Sequence, residues 1–201
     1  MTVAVVLFDD FETLDVFGPV EIFGRLKLDY QILFCSQNGG LVKNNHGVSI
    51  QTESLEHLQN GTDIFLIPGG YGTRIEVDNV FLIDQIRAIS LLSKYVLTVC
   101  TGSALLAKTG LLDGKKATSN KIAFNWVITQ GEKVQWIPKA RWTKDANYYT
   151  SAGVSAGMDM TLGFLNDLHG IDFARKVAQE IEYSWVENME EDHFYKPPII
   201  E

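Results

Sequence analysis

Cys100 stands where a thiol can act as a nucleophile. The apolar run Tyr95-Val96-Leu97-Thr98-Val99 leads directly into it, and Thr101-Gly102-Ser103 and an Ala/Leu-rich stretch follow. Strand, sharp turn and helix in that order make a nucleophile elbow, here with Cys in place of Ser. Small neighbours permit the turn. The helix start favours thiolate over thiol, which predicts a lowered thiol pKa. The alternative is a small buried hydrophobe, and Cys35, inside a strand pattern, reads that way.

Two further segments could complete a site. Pro68-Gly69-Gly70-Tyr71-Gly72 stops the apolar run Asp63–Ile67. Its glycines let backbone approach a ligand, and the N–H groups of Gly70 and Thr101 could cradle an oxyanion. A plain Gly-rich turn is the other reading. The Lys and Ser/Thr of a phosphate loop are missing. Asp15 falls inside Leu14-Asp15-Val16-Phe17-Gly18-Pro19, where an acid needs a partner, as a helix cap or in a cleft. His46, His57, His169 and His193 form no ligand pattern, so neither metal nor cofactor is expected.

The elements that must hold these residues alternate. Val3–Phe8, Tyr30–Cys35, Asp63–Ile67 and Tyr95–Val99 read as strands buried on both faces. Shorter strands are expected near Leu41–Val42, Val48–Gln51, Val134–Ile137, Arg141–Thr143 and Tyr148–Thr150. Helices are expected from Pro19, over Val80–Leu92, Gly102–Thr109, Ile122–Thr129 and Ser155–Leu168, and as one long helix over Ile171–Glu190 with Trp185 on its apolar face. This pattern predicts a single α/β domain over residues 1–201, a flavodoxin-like doubly wound, mostly parallel sheet with helices on both faces. Ligands then gather at the strands' carboxyl ends, after Phe8, Ile67 and Val99.

Composition narrows the function classes. The 201 residues are 46% hydrophobic and 21% charged, which excludes a disordered chain or a fibre. No apolar run spans a bilayer and no signal peptide is evident, so a cytoplasmic protein without membrane association is expected. Acids outnumber bases 25 to 17, for a net charge of −8, and no basic stripe suggests nucleic acid. Glu180, Glu182, Glu187, Glu190, Glu191 and Asp192 read as a solvated helix face. The tail His193–Glu201 is expected to pack as an arm or fray.

Together these pieces resemble the ThiJ/PfpI superfamily, whose fold is that of the class I glutamine amidotransferases. The resemblance rests on Asp15 before Gly18-Pro19-Val20-Glu21-Ile22-Phe23, on Ile67-Pro68-Gly69-Gly70, on Val99-Cys100-Thr101-Gly102-Ser103 and on Thr150–Asp159. Leu-Asp-x-x-Gly-Pro with Cys-Thr-Gly-Ser is similar to the isocyanide hydratase branch, and also to ligand domains of AraC-type regulators. The resemblance implies Cys100 as nucleophile, Asp15 as the acid against it, and Gly70 and Thr101 as backbone donors. Gly69, Tyr71 and Asn120 complete the candidate site as substrate contacts. It also implies a homodimer acting on a small molecule. Relatives carry a His in the stretch that here reads Ala117-Thr118-Ser119-Asn120-Lys121, with Asn120 in its place. Asn is no general base, so proteolysis is not expected. Isocyanide hydration, which relies on Cys and Asp, is the leading expectation. A redox or ligand sensor and a glyoxalase- or deglycase-type activity are the alternatives.

Overall fold

The computed structural model describes residues 1–26, 29–58 and 60–196. The last residues of the tail, 197–201, lie outside them. From the N-terminus run β1 (Thr2–Val6), α1 (Thr13–Arg25), β2 (Gln31–Ser36), β3 (Gly40–Lys43), β4 (Ser49–Ser54), a 3-10 turn (Leu55–Leu58) and β5 (Ile64–Ile67). Then come α2 (Thr73–Glu76), α3 (Val80–Leu92), β6 (Tyr95–Thr98), α4 (Gly102–Lys108), β7 (Lys116–Ala117), α5 (Phe124–Ile128), β8 (Gln135–Trp136), β9 (Trp142–Asp145), β10 (Tyr148–Ser151), α6 (Ala156–His169) and α7 (Ile171–Glu180).

The main sheet has the order β3-β4-β2-β1-β5-β6-β10-β9. The six inner strands are parallel, and β3 and β9 close the edges antiparallel. The Val- and Ile-rich runs of β1 and β5 are buried on both faces, as a strand covered by helices on each side must be. On one side α1 packs against α6 and α7; elsewhere α3 packs against α4. Phe164 of α6 sits at the centre of an aromatic cluster, edge-on to Phe23, Tyr95 and Tyr149. This is the flavodoxin-like, doubly wound sheet expected from the pattern. The chain leaves β1 first toward β2 and later returns to β5 on its other side. That reversal opens a crevice at the carboxyl ends of β1, β5 and β6.

Three expectations are corrected. The first helix does not begin near Pro19 but at Thr13, with Pro19 inside it. A Pro within a helix costs about 3 kcal/mol in lost bonding and crowding. Burying Val16, Ile22 and Phe23 on the same helix offsets that cost. The last helix ends at Glu180 rather than Glu190. Glu182 turns to φ 52°, and Tyr183, Trp185 and Val186 leave the helix to hydrogen-bond Asp159. The acidic tail is accordingly no solvated helix face: Asp192 is buried, bonded to Arg141 at 3.4 Å, and Glu187 pairs with Arg175.

Candidate active site

The elbow follows from the local sequence. β6 delivers Val99, and Cys100 adopts φ 56°, a left-handed conformation that a residue with a Cβ takes only when its surroundings hold it. They do so on both sides of the residue. The Cys100 N–H donates to the Ala152 carbonyl at 3.1 Å. Its own carbonyl accepts from Ser103 Oγ at 2.9 Å and Ser119 Oγ at 2.8 Å. Gly102 is required next: a Cβ there would stand 2.2 Å from the Ile67 carbonyl oxygen.

Asp15 comes from the first turn of α1 and is fully buried. It does not cap the helix; its side chain meets the loop after β5. Its Oδ2 accepts from the Gly69 N–H at 2.9 Å, while Oδ1 has no hydrogen-bond partner among the described residues. Gly69 is glycine for this contact, since a Cβ would meet the Thr101 nitrogen at 2.6 Å and Asp15 Oδ2 at 2.9 Å. Pro19 lacks the N–H that would bond the Asp15 carbonyl four residues back, a local weakness the Gly18-Pro19 pair builds in.

The electrostatics of the pair correct the expected low thiol pKa. Burial pushes the Cys100 thiol up, and the Asp15 charge pushes it further. The N–H groups of Thr101 and Val154 and the Asn120 side chain oppose the rise without cancelling it. Only 6% of the residue is exposed, so desolvation outweighs the short helix behind it. Burial likewise raises the Asp15 carboxyl well above its ordinary range. The Gly69 N–H works against this, the Glu12 charge adds to it, and the Cys100 thiol lowers it. Two buried acids with no cation between them titrate as a unit. Asp15 therefore holds its proton to higher pH than an ordinary carboxyl, and once it ionises its charge works against the three donors around the sulfur.

Asn120 takes the place of the absent His differently from a base. Its Oδ1 accepts from the Ala123 N–H at 2.9 Å, opening α5, while its side chain also hydrogen-bonds the Cys100 sulfur. Gly153 makes room, because a Cβ there would lie 2.2 Å from Asn120 Nδ2. Of the backbone donors expected, the Thr101 N–H faces the sulfur, but the Gly70 N–H donates to Thr101 Oγ1 at 3.1 Å. Gly70 thus props Thr101. Tyr71 is 78% exposed at the rim. Val154, with φ 50°, supplies an N–H that sequence reasoning missed. The only trace of it is the preceding Gly153, and a β-branched residue gives no hint of a left-handed turn.

These residues enclose a cavity of about 240 Å³ lined by Cys100, Thr101, Asn120, Gly70, Tyr71 and Val154, with Glu12, Arg74, Ile122 and Ala123 around them. Gly69 and Asp15 lie behind its wall. Among the described residues no cluster of His, Cys, Asp and Glu could hold a metal ion, and no helix is long and apolar enough to cross a membrane. The arrangement can add a sulfur to a small electrophile and move one proton beside it.

Comparisons with known proteins identify the family. The model of the DJ-1/PfpI family matches residues 1–167. Isonitrile hydratase of Pseudomonas putida is 30% identical over 185 residues, 92% of this chain and 79% of that protein. A deglycase, PfpI of Pyrococcus furiosus, is 26% identical over 65% of this chain and 78% of its own length. The crystal structure of a ThiJ/PfpI family protein from Pseudomonas syringae superposes with a TM-score of 0.82 at 27% identity, covering 91% of this chain and 75% of that one.

Proposed function

This chain belongs to the DJ-1/PfpI family, and from that premise we propose that it is a cysteine-dependent enzyme hydrating small isocyanides to N-substituted formamides. The observation that carries the reading is the buried Asp15 carboxyl beside Cys100, with Oδ1 unpartnered among the described residues and its pKa raised by burial, so that it can supply a proton to a carbon bound to the sulfur. The similarity to isonitrile hydratase supports it.

The sulfur of Cys100 attacks the terminal carbon of R–N≡C, forming a C–S bond. Asp15 delivers its proton to the same carbon, giving the thioimidate R–N=CH–S, and takes up the thiol's former proton. Water then adds to that carbon, and the proton it sheds reaches the nitrogen. Collapse of the adduct breaks the C–S bond, returns a proton to the sulfur and releases R–NH–CHO. The sum is isocyanide plus water to formamide, with the pair restored. The Thr101 and Val154 N–H groups and Asn120 stabilise the sulfur while it bears charge. A homodimer in the cytoplasm belongs to the same proposal, and sedimentation equilibrium tests the dimer.

The test is formamide formation from an alkyl isocyanide, followed by mass spectrometry. Cys100→Ala is expected to abolish it. Full turnover by that variant would sink the reading. The similarity to a deglycase favours aldehyde chemistry as the second reading; lactate from methylglyoxal, with no formamide from an isocyanide, would put it first. The sensor reading is tested by mild peroxide: a two-oxygen adduct on Cys100 by intact mass would put it forward.

A further inference from the structure

One wall of this cavity carries a charge that the steps above do not use. Arg74 of α2 lines it together with Cys100. The guanidinium carbon lies 4.2 Å from the Trp126 ring centroid and 5.7 Å from that of Tyr71. Aromatic faces at those distances hold a planar fork in a defined orientation. Nη1 donates to Thr73 Oγ1 at 3.2 Å and reaches the Gly70 carbonyl at 3.5 Å. Nε and Nη2 donate to nothing among the described residues.

The other arginines are occupied. Arg25, Arg141 and Arg175 each pair with a carboxylate, and Arg87 donates to the Thr109 carbonyl. Arg74 has no such partner among the described residues, in a chain whose acids outnumber its bases 25 to 17. Glu12, across the same cavity, stands 4.0 Å from His46 instead. A net charge of −8 repels anions at long range. Any anion preference here must therefore arise from local contacts, and a guanidinium with two free N–H donors offers a bidentate one.

We propose that Arg74 is a specificity-determining residue, selecting substrates that carry a carboxylate close to their electrophilic carbon. The carboxylate would bridge Nε and Nη2 while the carbon faces Cys100. This rests on the reading that small electrophiles enter this cavity to meet the sulfur, and it narrows that substrate class.

Iodoacetate and iodoacetamide test it, because they deliver the same CH₂ group to a thiol and differ in charge. Their labelling rates at Cys100 are read by mass spectrometry in the native protein, Arg74→Gln and Arg74→Lys, with glutathione as reference. The expected result is an iodoacetate-to-iodoacetamide ratio about tenfold above that of glutathione. Arg74→Gln should remove that excess without slowing iodoacetamide, and Arg74→Lys should restore part of it. An unchanged ratio in Arg74→Gln overturns the proposal. So does equal slowing of both reagents, the mark of a residue that only props Trp126 and the Gly70 loop. If neither reagent reaches the sulfur, calorimetry with propionate decides: binding lost in Arg74→Gln supports the proposal, and no binding to the native protein overturns it. Hydration of a neutral isocyanide with no charge preference would sink this inference alone. Carboxylate preference without any hydration would sink the proposed reaction alone.

Discussion

Two fully buried aspartates in this fold meet opposite fates. Asp159, on α6, is surrounded by donors: Arg141 Nη2 and Nε reach its Oδ2 at 2.7 and 2.9 Å, while the Val186 N–H at 2.9 Å and Tyr183 hydroxyl at 3.1 Å reach Oδ1. Burial raises its pKa, and these partners oppose the rise. Arg141 also donates to Asp192, and to Ser155 beside the Val154 turn. Asp15 receives a single N–H from Gly69 and leaves one oxygen bare. Equal burial with unequal partners separates a structural ion from a proton carrier. A carboxylate matched by a guanidinium and several donors fastens the tail to the sheet. A carboxyl with neither holds its proton to higher pH, and in the proposed reaction it hands that proton on.

The largest effect should come from breaking the satisfied side. Arg141→Met leaves Asp159 buried without its cation and Asp192 with only Lys121 at 3.9 Å, and should cost about 3–5 kcal/mol in urea unfolding. A loss under about 1 kcal/mol would erase the contrast. On the other side, Asp15→Asn should fold normally yet lose about 100-fold or more of hydration rate, the usual scale of a lost proton donor. The same variant should alkylate at lower pH than the native protein, because the Asp15 charge that pushes the thiol up is gone; an upward shift would contradict the assigned electrostatics.

Stability against pH sharpens the comparison further. The folded-state pKa of Asp15 lies well above its unfolded value, so the native state binds more protons. Stability is then largest below the unfolded carboxylate value, about 4, and falls as pH rises toward the folded pKa. The slope from this one group is at most about 1.4 kcal/mol per pH unit. Subtracting the Asp15→Asn curve should reveal that decline; a flat difference would place an ionised Asp15 in the fold. Lys121 gives an effect of opposite sign. Its pKa is lowered to about 8, first by burial, with Asp192 opposing. Its folded value lies below the unfolded one, so this group's contribution improves as pH rises from about 8 toward the unfolded value of about 10.4. Lys121→Met should remove that rise in urea unfolding, and an unchanged rise in the variant would contradict the assignment.

Much of the fold was legible because buried parallel strands need continuous apolar runs, as Val3–Val6 and Ile64–Ile67 show. The elbow was legible too, since strand, Cys, Gly and helix are neighbours in the chain. The state of the thiol was not. Asp15 and Cys100 meet only through the fold, and burial of both reverses the sign that the helix start alone suggests. Pro19 hid the first two turns of α1, because a local breaker gave no account of the core that α1 covers. The extended course after Glu180 followed the same logic in reverse. Its residues have helical spacing, but Asp159 offers Tyr183, Trp185 and Val186 better partners.

The loops above β1 and β5 are stitched to one another. Phe11 and Gly70 form an antiparallel bridge, the Glu12 N–H donates to the Gly69 carbonyl at 2.8 Å, and the Gly72 N–H donates to the Asp10 carbonyl at 3.2 Å. These amides should exchange with deuterium at a common slow rate, as one cooperative unit. Such a rim does not swing open like a lid. Passage to the sulfur then falls to the side chains standing on it, Tyr71 at 78% and Ile122 at 98% exposure. Their rotamer hops take picoseconds to nanoseconds, so the rim side chains themselves impose no slow gate on the cavity.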